Sequence, residues 1–148
     1  MRSYFYILLL LPFFACRPQA PVERLLGAWK VDSTYTYYNG FSYTQREEGS
    51  DWATYVYEPD GIMKEIKYGS FQSYFFDWQG KDTIALRSTQ GGDKLYFQVL
   101  SLDPQTLVLK RSRSPIFSGN NQERYEIRFL SRTDVPEADL VPFSDPRH

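Results

Sequence analysis

The sequence predicts an all-β domain, folded as an antiparallel up-and-down barrel of about eight strands. Short segments in which apolar and polar residues alternate recur along the chain, as they do in half-buried strands. Turn-forming residues separate these segments at fairly even spacing, and no segment shows a convincing amphipathic helical pattern. Closing such a sheet into a barrel removes its exposed edge strands.

The N-terminal residues are organised like a secretory signal. Arg2 supplies a positive charge, residues 4–14 are almost wholly apolar, and the small residue Ala15 precedes Cys16. The apolar stretch is shorter than the roughly 20 residues that span a bilayer. Cys16 is the single cysteine of the chain, which excludes an intramolecular disulfide.

The residues around Cys16 resemble a bacterial lipobox. In Phe13-Phe14-Ala15-Cys16 a small residue precedes the cysteine, although Phe13 stands where leucine is usual. The resemblance implies a signal peptide over residues 1–15, lipidation of Cys16 with acyl chains such as palmitate, and a tether over residues 16–24. It also implies a lipoprotein of the cell envelope, anchored at the outer membrane of a Gram-negative bacterium and facing either the periplasm or the outside. The alternatives are an ordinary signal peptide and a free thiol.

The charge balance restricts the classes of partner. The chain has 17 basic and 18 acidic residues, which is close to neutral. Nucleic-acid binding depends on neutralising many phosphates, so we expect no nucleic-acid partner. We expect the membrane to be contacted through the lipid anchor and not through a charged face.

The barrel is expected over residues 25–133. Eight segments are predicted to be strands, in this order: 28–36, 52–57, 62–68, 71–78, 83–89, 95–102, 107–111 and 123–130. A helical turn is expected over residues 22–26, and a loop or weak strand over residues 41–50. The residues Glu58-Pro59-Asp60-Gly61 have the composition of a tight turn. A flexible C-terminal tail is expected over residues 134–148.

Alternation also assigns the faces of the strands. The first strand is predicted to turn these residues to one face: Trp29, Val31, Ser33 and Tyr35. The last strand is predicted to point its apolar residues inward: Tyr125, Ile127 and Phe129. Arg128 would then face outward.

The segment Gly27-Ala28-Trp29 resembles the lipocalin signature, a Gly-x-Trp at the start of the first strand after a short helical turn. The hairpin at residues 54–61 resembles one that is common in bacterial lipocalin-like lipoproteins. The resemblance implies that Gly27 lets the chain turn into the barrel and that Trp29 closes its bottom. It also implies an arginine packed across Trp29, for which Arg132 is preferred to Arg128. The second lipocalin motif, a Thr-Asp-Tyr-type triplet, is not evident.

No residue set suited to catalysis is evident, so we expect no enzyme, no cofactor and no metal site. The one histidine, His148, falls in the predicted tail, which leaves no histidine-based triad for the barrel. Glu47, Glu48 and Asp51 are interpreted as a solvated loop, with an acid–base pair as the alternative. The basic run Lys110-Arg111-Ser112-Arg113 is interpreted as a solvated strand edge, with a docking site for an anion or partner as the alternative.

Aromatic side chains are the candidate ligand contacts. Six are predicted to project into the barrel: Tyr35, Tyr55, Tyr57, Tyr68, Phe97 and Tyr125. A tyrosine offers an apolar ring and a hydroxyl, which suits a small hydrophobic or amphipathic ligand. In the alternative, these rings fill the barrel, and its surface or loops bind a protein partner or inhibitor target in the envelope.

Overall fold

The computed structural model describes residues 20–46, 52–116, 122–136 and 140–143. The predicted signal peptide with Cys16, the acidic residues Glu47, Glu48 and Asp51, and His148 lie outside these residues. None of the helices in the described part of the chain has the length and hydropathy of a membrane span.

A helix of five residues, α1 (Pro21–Leu25), comes before the strands. The strands of the described residues follow in chain order: β1 (Gly27–Tyr38), β2 (Phe41–Arg46), β3 (Thr54–Tyr57), β4 (Ile62–Lys67), β5 (Ser70–Gln79), β6 (Thr83–Ser88), β7 (Leu95–Leu102), β8 (Thr106–Ser112), β9 (Arg124–Thr133) and β10 (Val141–Pro142).

Eight of these strands close into a barrel. The order around the barrel is β1, β3, β4, β5, β6, β7, β8 and β9, and β9 pairs again with β1. Every pair in the ring is antiparallel, and successive neighbours in the ring follow one another along the chain. The prediction of an all-β, up-and-down barrel of about eight strands is therefore confirmed.

The strands β2 and β10 lie outside this ring. β2 pairs with the second half of β1, along the same edge that β3 occupies beside the first half. β10 pairs in parallel with the start of β5, where the backbone N–H of Phe143 donates to the carbonyl of Phe71 at 2.7 Å. Residues 140–143, which fall in the predicted flexible tail, thus include a short strand paired with β5. Leu140 packs on an outer apolar cluster that includes Val56 and Ile66, and this burial offsets the entropy lost in ordering the segment.

The apolar core fills one end of the barrel. We call the end at which β1 begins the closed end, and the end at which β1 reaches Tyr38 the open end. Trp29, Ile84 and Leu107 are fully buried near the closed end, together with Leu109 and Met63 at 1–2% exposure. These side chains come from several strands and belong to one buried cluster, which fills this half of the barrel.

A β-bulge changes the face that β1 presents. The pairing between β1 and β9 shifts between Val31 and Ser33, so that one extra residue is inserted at Asp32. Trp29 and Val31 point into the barrel, and after the bulge the inward positions are Thr34 and Thr36. The prediction that Ser33 and Tyr35 share the face of Trp29 was wrong, because a one-residue insertion reverses the alternation.

The facing of β9 follows from its register against β1. Trp29 is opposite Arg132, Val31 is opposite Leu130, and both pairs lie on the inner face. Glu126 and Arg128 follow the same alternation and must therefore also point inward. The predicted inward face of β9 was wrong: Phe129 is 42% exposed on the outer face. The error arose because apolar residues were assumed to face the interior, whereas the open half of this barrel is polar inside.

Candidate functional site

The closed end is sealed by an arginine stacked on a tryptophan. The guanidinium of Arg132 lies 3.8 Å from the centre of the Trp29 ring, and Trp29 has no exposed surface. The indole N–H donates to the carbonyl of Leu25 at 2.7 Å, which fixes α1 beneath the barrel. Burial of the Arg132 guanidinium lowers its pKa. Of the two candidate arginines, the structure places Arg132 on the tryptophan.

Arg132 also satisfies the carbonyls at the end of α1. Its Nη1 donates to the carbonyl of Leu26 at 2.5 Å, and its Nη2 donates to that of Arg24 at 2.8 Å. Gly27 has φ +108°, and a Cβ there would lie 2.7 Å from Arg132 Nη1. Glycine is therefore required both by the backbone conformation and by the close approach of the arginine.

The open half of the barrel holds a polar cavity. Alternate positions of β8 and β9 point Arg111, Glu126 and Arg128 inward. Arg113 follows the end of β8 at the same spacing, and β4 contributes Glu65. Two neighbouring spaces lie between these side chains, a shallower one of about 240 Å³ and a deeper one of about 120 Å³. We call these two spaces together the mouth cavity.

Tyr55, Glu65 and Arg128 line both spaces of the mouth cavity. Arg128 donates a hydrogen bond to the Tyr55 hydroxyl, and its guanidinium lies 5.6 Å from the centre of the Phe97 ring. Arg111 lies 5.7 Å from the same ring. The deep space is therefore bounded by the Phe97 ring, with two guanidinium groups close to it. This arrangement suits a ligand that carries an apolar or flat group next to an anionic group.

Ion pairs only partly neutralise these arginines. Arg113 contacts Glu126 with 2.8 Å between Nη2 and Oε1, and Arg128 Nη2 lies 3.4 Å from Glu126 Oε2. Glu126 thus forms ion pairs with two arginines. Among the described residues, Arg111 has no carboxylate within ion-pair distance. Lys67 also lines the shallow space, so the cavity carries three arginines and one lysine against two glutamates, an excess of positive charge.

The pKa values of these groups reflect burial and mutual repulsion. Burial lowers the pKa of Arg111, and the charges of Arg113 and Arg128 lower it further. Burial alone would raise the pKa of Glu126, but its hydrogen bond to Arg113 and the surrounding arginines bring that pKa below its ordinary value. Burial and the nearby Glu65 raise the pKa of Tyr74 to about 12, and the Tyr74 hydroxyl donates to Glu65 at 3.3 Å. The tyrosines therefore stay neutral hydrogen-bonding groups.

The six predicted ligand residues are divided between three places. Tyr55, Tyr57 and Phe97 are buried and line the deep space. Tyr35 and Tyr125 lie on the outer wall with ring centres 6.3 Å apart, because of the bulge in β1 and the facing of β9. Tyr68 is 70% exposed in the turn after β4, where its φ of +51° removes it from the strand alternation. The prediction that Tyr35, Tyr68 and Tyr125 project into the barrel was wrong.

The charged residues of the mouth cavity were missed by the sequence analysis. The basic run at residues 110–113 was interpreted as a solvated edge, yet Arg111 and Arg113 point inward. Their i, i+2 spacing, shared by Glu126 and Arg128, is the signal that could have identified them. Each pair continues the inward face of its strand, which a search for apolar alternation alone does not detect. No group of three or more His, Cys, Asp or Glu side chains in the described ranges could hold a metal ion.

Comparisons with known proteins identify no family for this chain. No protein-family model matches it, and no curated protein matches it. Among solved structures, it is similar to a crystal structure of an LTBP1 mutant in complex with leukotriene C4, at 14% identity and a TM-score of 0.47 over 82% of this chain and 77% of that one. A second LTBP1 complex with leukotriene C4 matches at 15% identity and a TM-score of 0.44, over 76% of this chain and 70% of that one. Similarity at this level says nothing about the ligand of this chain.

Proposed function

We propose that this chain binds a small amphipathic ligand in the mouth cavity of its barrel, with an acidic group of the ligand facing the arginines. The observation that carries the proposal is the cavity itself, in which Arg111 and Arg128 flank the buried ring of Phe97. An acid group would offset the excess positive charge, and an apolar group would contact the ring. Because the closed half is filled, the ligand must be small or must extend out of the mouth.

A ligand enters through the open end in this proposal. Thr34 and Thr36 line the shallow space on the β1 side, and Arg128 is directly opposite Thr34 in the register. Neither threonine carries a charge, and Tyr43 and Trp52 line the same space with aromatic rings. The chain reaches the barrel at its closed end through α1. A lipid on Cys16 would attach on that side and leave the mouth accessible.

The proposal includes a lipid anchor and an envelope location, which rest on the lipobox resemblance of residues 13–16. A Cys16→Ser variant is expected to lose both palmitate incorporation and its place in the membrane fraction. Metabolic labelling with palmitate, followed by fractionation, measures both. Labelling of the variant equal to that of the parent would contradict the anchor. The proposal assigns binding without catalysis and without a cofactor.

The binding proposal is tested with anilinonaphthalene sulfonate, a fluorescent probe with an acid group and an apolar ring system. A Thr34→Trp variant places an indole in the shallow space and is expected to weaken probe binding about tenfold. Thr44→Trp adds the same side chain on an exposed position of β2 and serves as the matched control. Equal affinity of the parent and Thr34→Trp, with both folded by circular dichroism, would contradict the proposal.

A second candidate function is a protein-interaction module. Three aromatic side chains near the open end are exposed: Phe41 at 80%, Tyr43 at 63% and Tyr68 at 70%. Exposed aromatic residues are common at protein interfaces. If this candidate is correct, serine at Phe41 and Tyr68, neither of which lines the mouth cavity, abolishes recovery of an envelope partner by crosslinking, whereas Thr34→Trp leaves it unchanged.

A further inference from the structure

The barrel wall has a gap between β7 and β8. These strands pair from Leu102 opposite Leu107 up to Gln98 opposite Lys110. Beyond that point Leu95, Tyr96 and Phe97 pair only with β6, whereas Arg111 and Ser112 pair only with β9. The two strands therefore separate toward the open end. The cleft between them has a volume of about 860 Å³, which is larger than the mouth cavity.

This cleft between β7 and β8 is lined by cations. No carboxylate lines it among the residues that the structure describes, and five basic side chains do: Lys94, Lys110, Arg111, Arg113 and Arg124. Hydroxyl groups of Tyr96 and Ser112 add neutral donors. Among the described residues only Arg113 of the five cations has an ion-pair partner, Glu126. A concentration of like charge with so little compensation is unfavourable unless an anion is bound.

Two features show that the charges of Arg111 and Arg113 lie where water is partly excluded. The buried Nε of Arg113 has no hydrogen-bond partner among the described residues. Burial and the repulsion of Arg113 and Arg128 both lower the pKa of Arg111. A solvated edge of lysines and arginines, spread to prevent strand addition, would show neither feature.

We propose that the cleft between β7 and β8 binds a multiply charged oxyanion group, such as a phosphate monoester or a pyrophosphate. Several cations on both walls can contact separate oxygens of one such group, which a monovalent carboxylate cannot match. The same chemistry occurs in soluble phosphorylated molecules and in phosphorylated lipid headgroups. This proposal does not depend on the binding of an amphipathic ligand in the mouth cavity. Arg111 and Arg113 nevertheless line both the cleft and the mouth cavity.

Titration calorimetry with pyrophosphate tests the proposal on the purified protein. Lys94 and Arg124 line the cleft but not the mouth cavity, so Lys94→Gln combined with Arg124→Gln removes two cleft cations selectively. We expect pyrophosphate to bind this double variant about tenfold more weakly than it binds the parent. Lys81→Gln combined with Arg24→Gln removes the same charge from exposed positions outside the cleft and is expected to bind as the parent does.

Further measurements separate the sources of the anion and the two sites. One measurement is flotation with phosphatidylcholine vesicles, with and without phosphatidic acid. The ligand is a lipid headgroup if the parent floats only with the vesicles that contain phosphatidic acid and the double variant floats with neither. Binding of pyrophosphate without such recruitment identifies a soluble ligand. Ser112→Glu adds a negative charge to the cleft and must also weaken pyrophosphate binding. This variant tests the proposal independently if the double variant fails to fold.

The proposal is overturned if the parent binds neither pyrophosphate nor acidic vesicles, or if the cleft and control variants bind pyrophosphate equally well. Thr34→Trp distinguishes failure of this proposal from failure of the proposed ligand binding in the mouth cavity. The variant blocks the anilinonaphthalene sulfonate site, and Thr34 does not line the cleft. Loss of probe binding with retained pyrophosphate binding in Thr34→Trp would show two separate sites.

Discussion

At the scale of single residues, Arg132 connects the last strand to the start of the first one. It stacks on Trp29 and donates to the carbonyls of Arg24 and Leu26, so one side chain holds α1, β1 and β9 together. The lipocalin resemblance implies an arginine on Trp29, and Arg132 was preferred because alternation predicts that Arg128 faces outward. That reason was wrong. Arg128 also faces inward, and only its position farther from the closed end keeps it away from Trp29.

Replacing Arg132 by alanine is expected to lower the free energy of unfolding by about 2–3 kcal/mol. The variant loses the cation–π contact and leaves two carbonyls near the closed end without their donor. Urea denaturation followed by tryptophan fluorescence measures the change. Arg87→Ala is the control, since Arg87 stacks on the exposed Phe75 at 5.3 Å and should lose less than about 1 kcal/mol. Equal losses would contradict the role given to Arg132.

Gly27→Ala is expected to be more destabilising than Gly91→Ala. Both glycines have positive φ, +108° and +97°, so alanine strains the backbone at each. Only at Gly27 does the new Cβ also meet a side chain, Arg132 Nη1 at 2.7 Å, whereas nothing lies within 4 Å at Gly91. Thermal unfolding of the two variants gives the difference, and equal melting temperatures would show that the close approach is unimportant.

Glu126 is expected to make the protein sensitive to acid. Its pKa in the folded protein lies below the ordinary value of 4.5, mainly because Arg113 and Arg128 oppose the effect of burial. A depressed carboxyl pKa stabilises the fold above the unfolded value, and this stabilisation is lost as the pH falls through the folded pKa. The melting temperature of Glu126→Gln should therefore fall less than that of the parent between about pH 6 and about pH 3.

The control for the acid measurement is Glu23→Gln, which removes a carboxylate from the exposed surface of α1. Its melting temperature should follow the parent at every pH. Identical pH profiles for the parent and Glu126→Gln would contradict the claim that the ion pairs of Glu126 stabilise the fold.

At the scale of elements, the strands were predictable and their facing was less so. Strands β3, β6, β7 and β8 alternate as half-buried strands do, with these apolar side chains facing the interior: Tyr55, Tyr57, Ile84, Leu86, Leu95, Phe97, Leu107 and Leu109. The facing failed for β1, where the bulge at Asp32 has no signal in an apolar–polar pattern. It failed for β9, where charged residues lie inside and Phe129 lies outside. Such departures from patterning are expected at functional sites.

The C-terminal segment β10 makes a prediction of its own. Leu140 packs on the outer cluster of Val56, Ile66 and Phe71, whereas the next residue, Val141, is 60% exposed. Leu140→Ala should lower the free energy of unfolding by about 1–2 kcal/mol, and Val141→Ala by less than about 0.5 kcal/mol. Urea titrations measure both. A loss at Leu140 no larger than that at Val141 would mean that the segment adds nothing to stability.

At the scale of the whole molecule, the barrel is divided into a solid half and a polar half. The solid half contains the apolar residues that make the fold predictable from sequence. The polar half contains Arg111, Arg113, Glu126 and Arg128. These charged side chains can be buried because closure of the barrel places oppositely charged side chains beside them. No single strand shows that three arginines from two strands will meet two glutamates, so the mouth cavity could not be predicted from the sequence alone.

The central claim is that the mouth cavity holds a small amphipathic acid. Native mass spectrometry of the protein, purified gently from cells, tests this claim most directly. We expect an adduct in the mass range of a fatty acid or another small acidic lipid, which is lost on denaturation and absent from Thr34→Trp. An unmodified apo mass that stays unchanged after incubation with a membrane lipid extract would contradict the claim and leave the exposed aromatic residues at the open end as the functional surface.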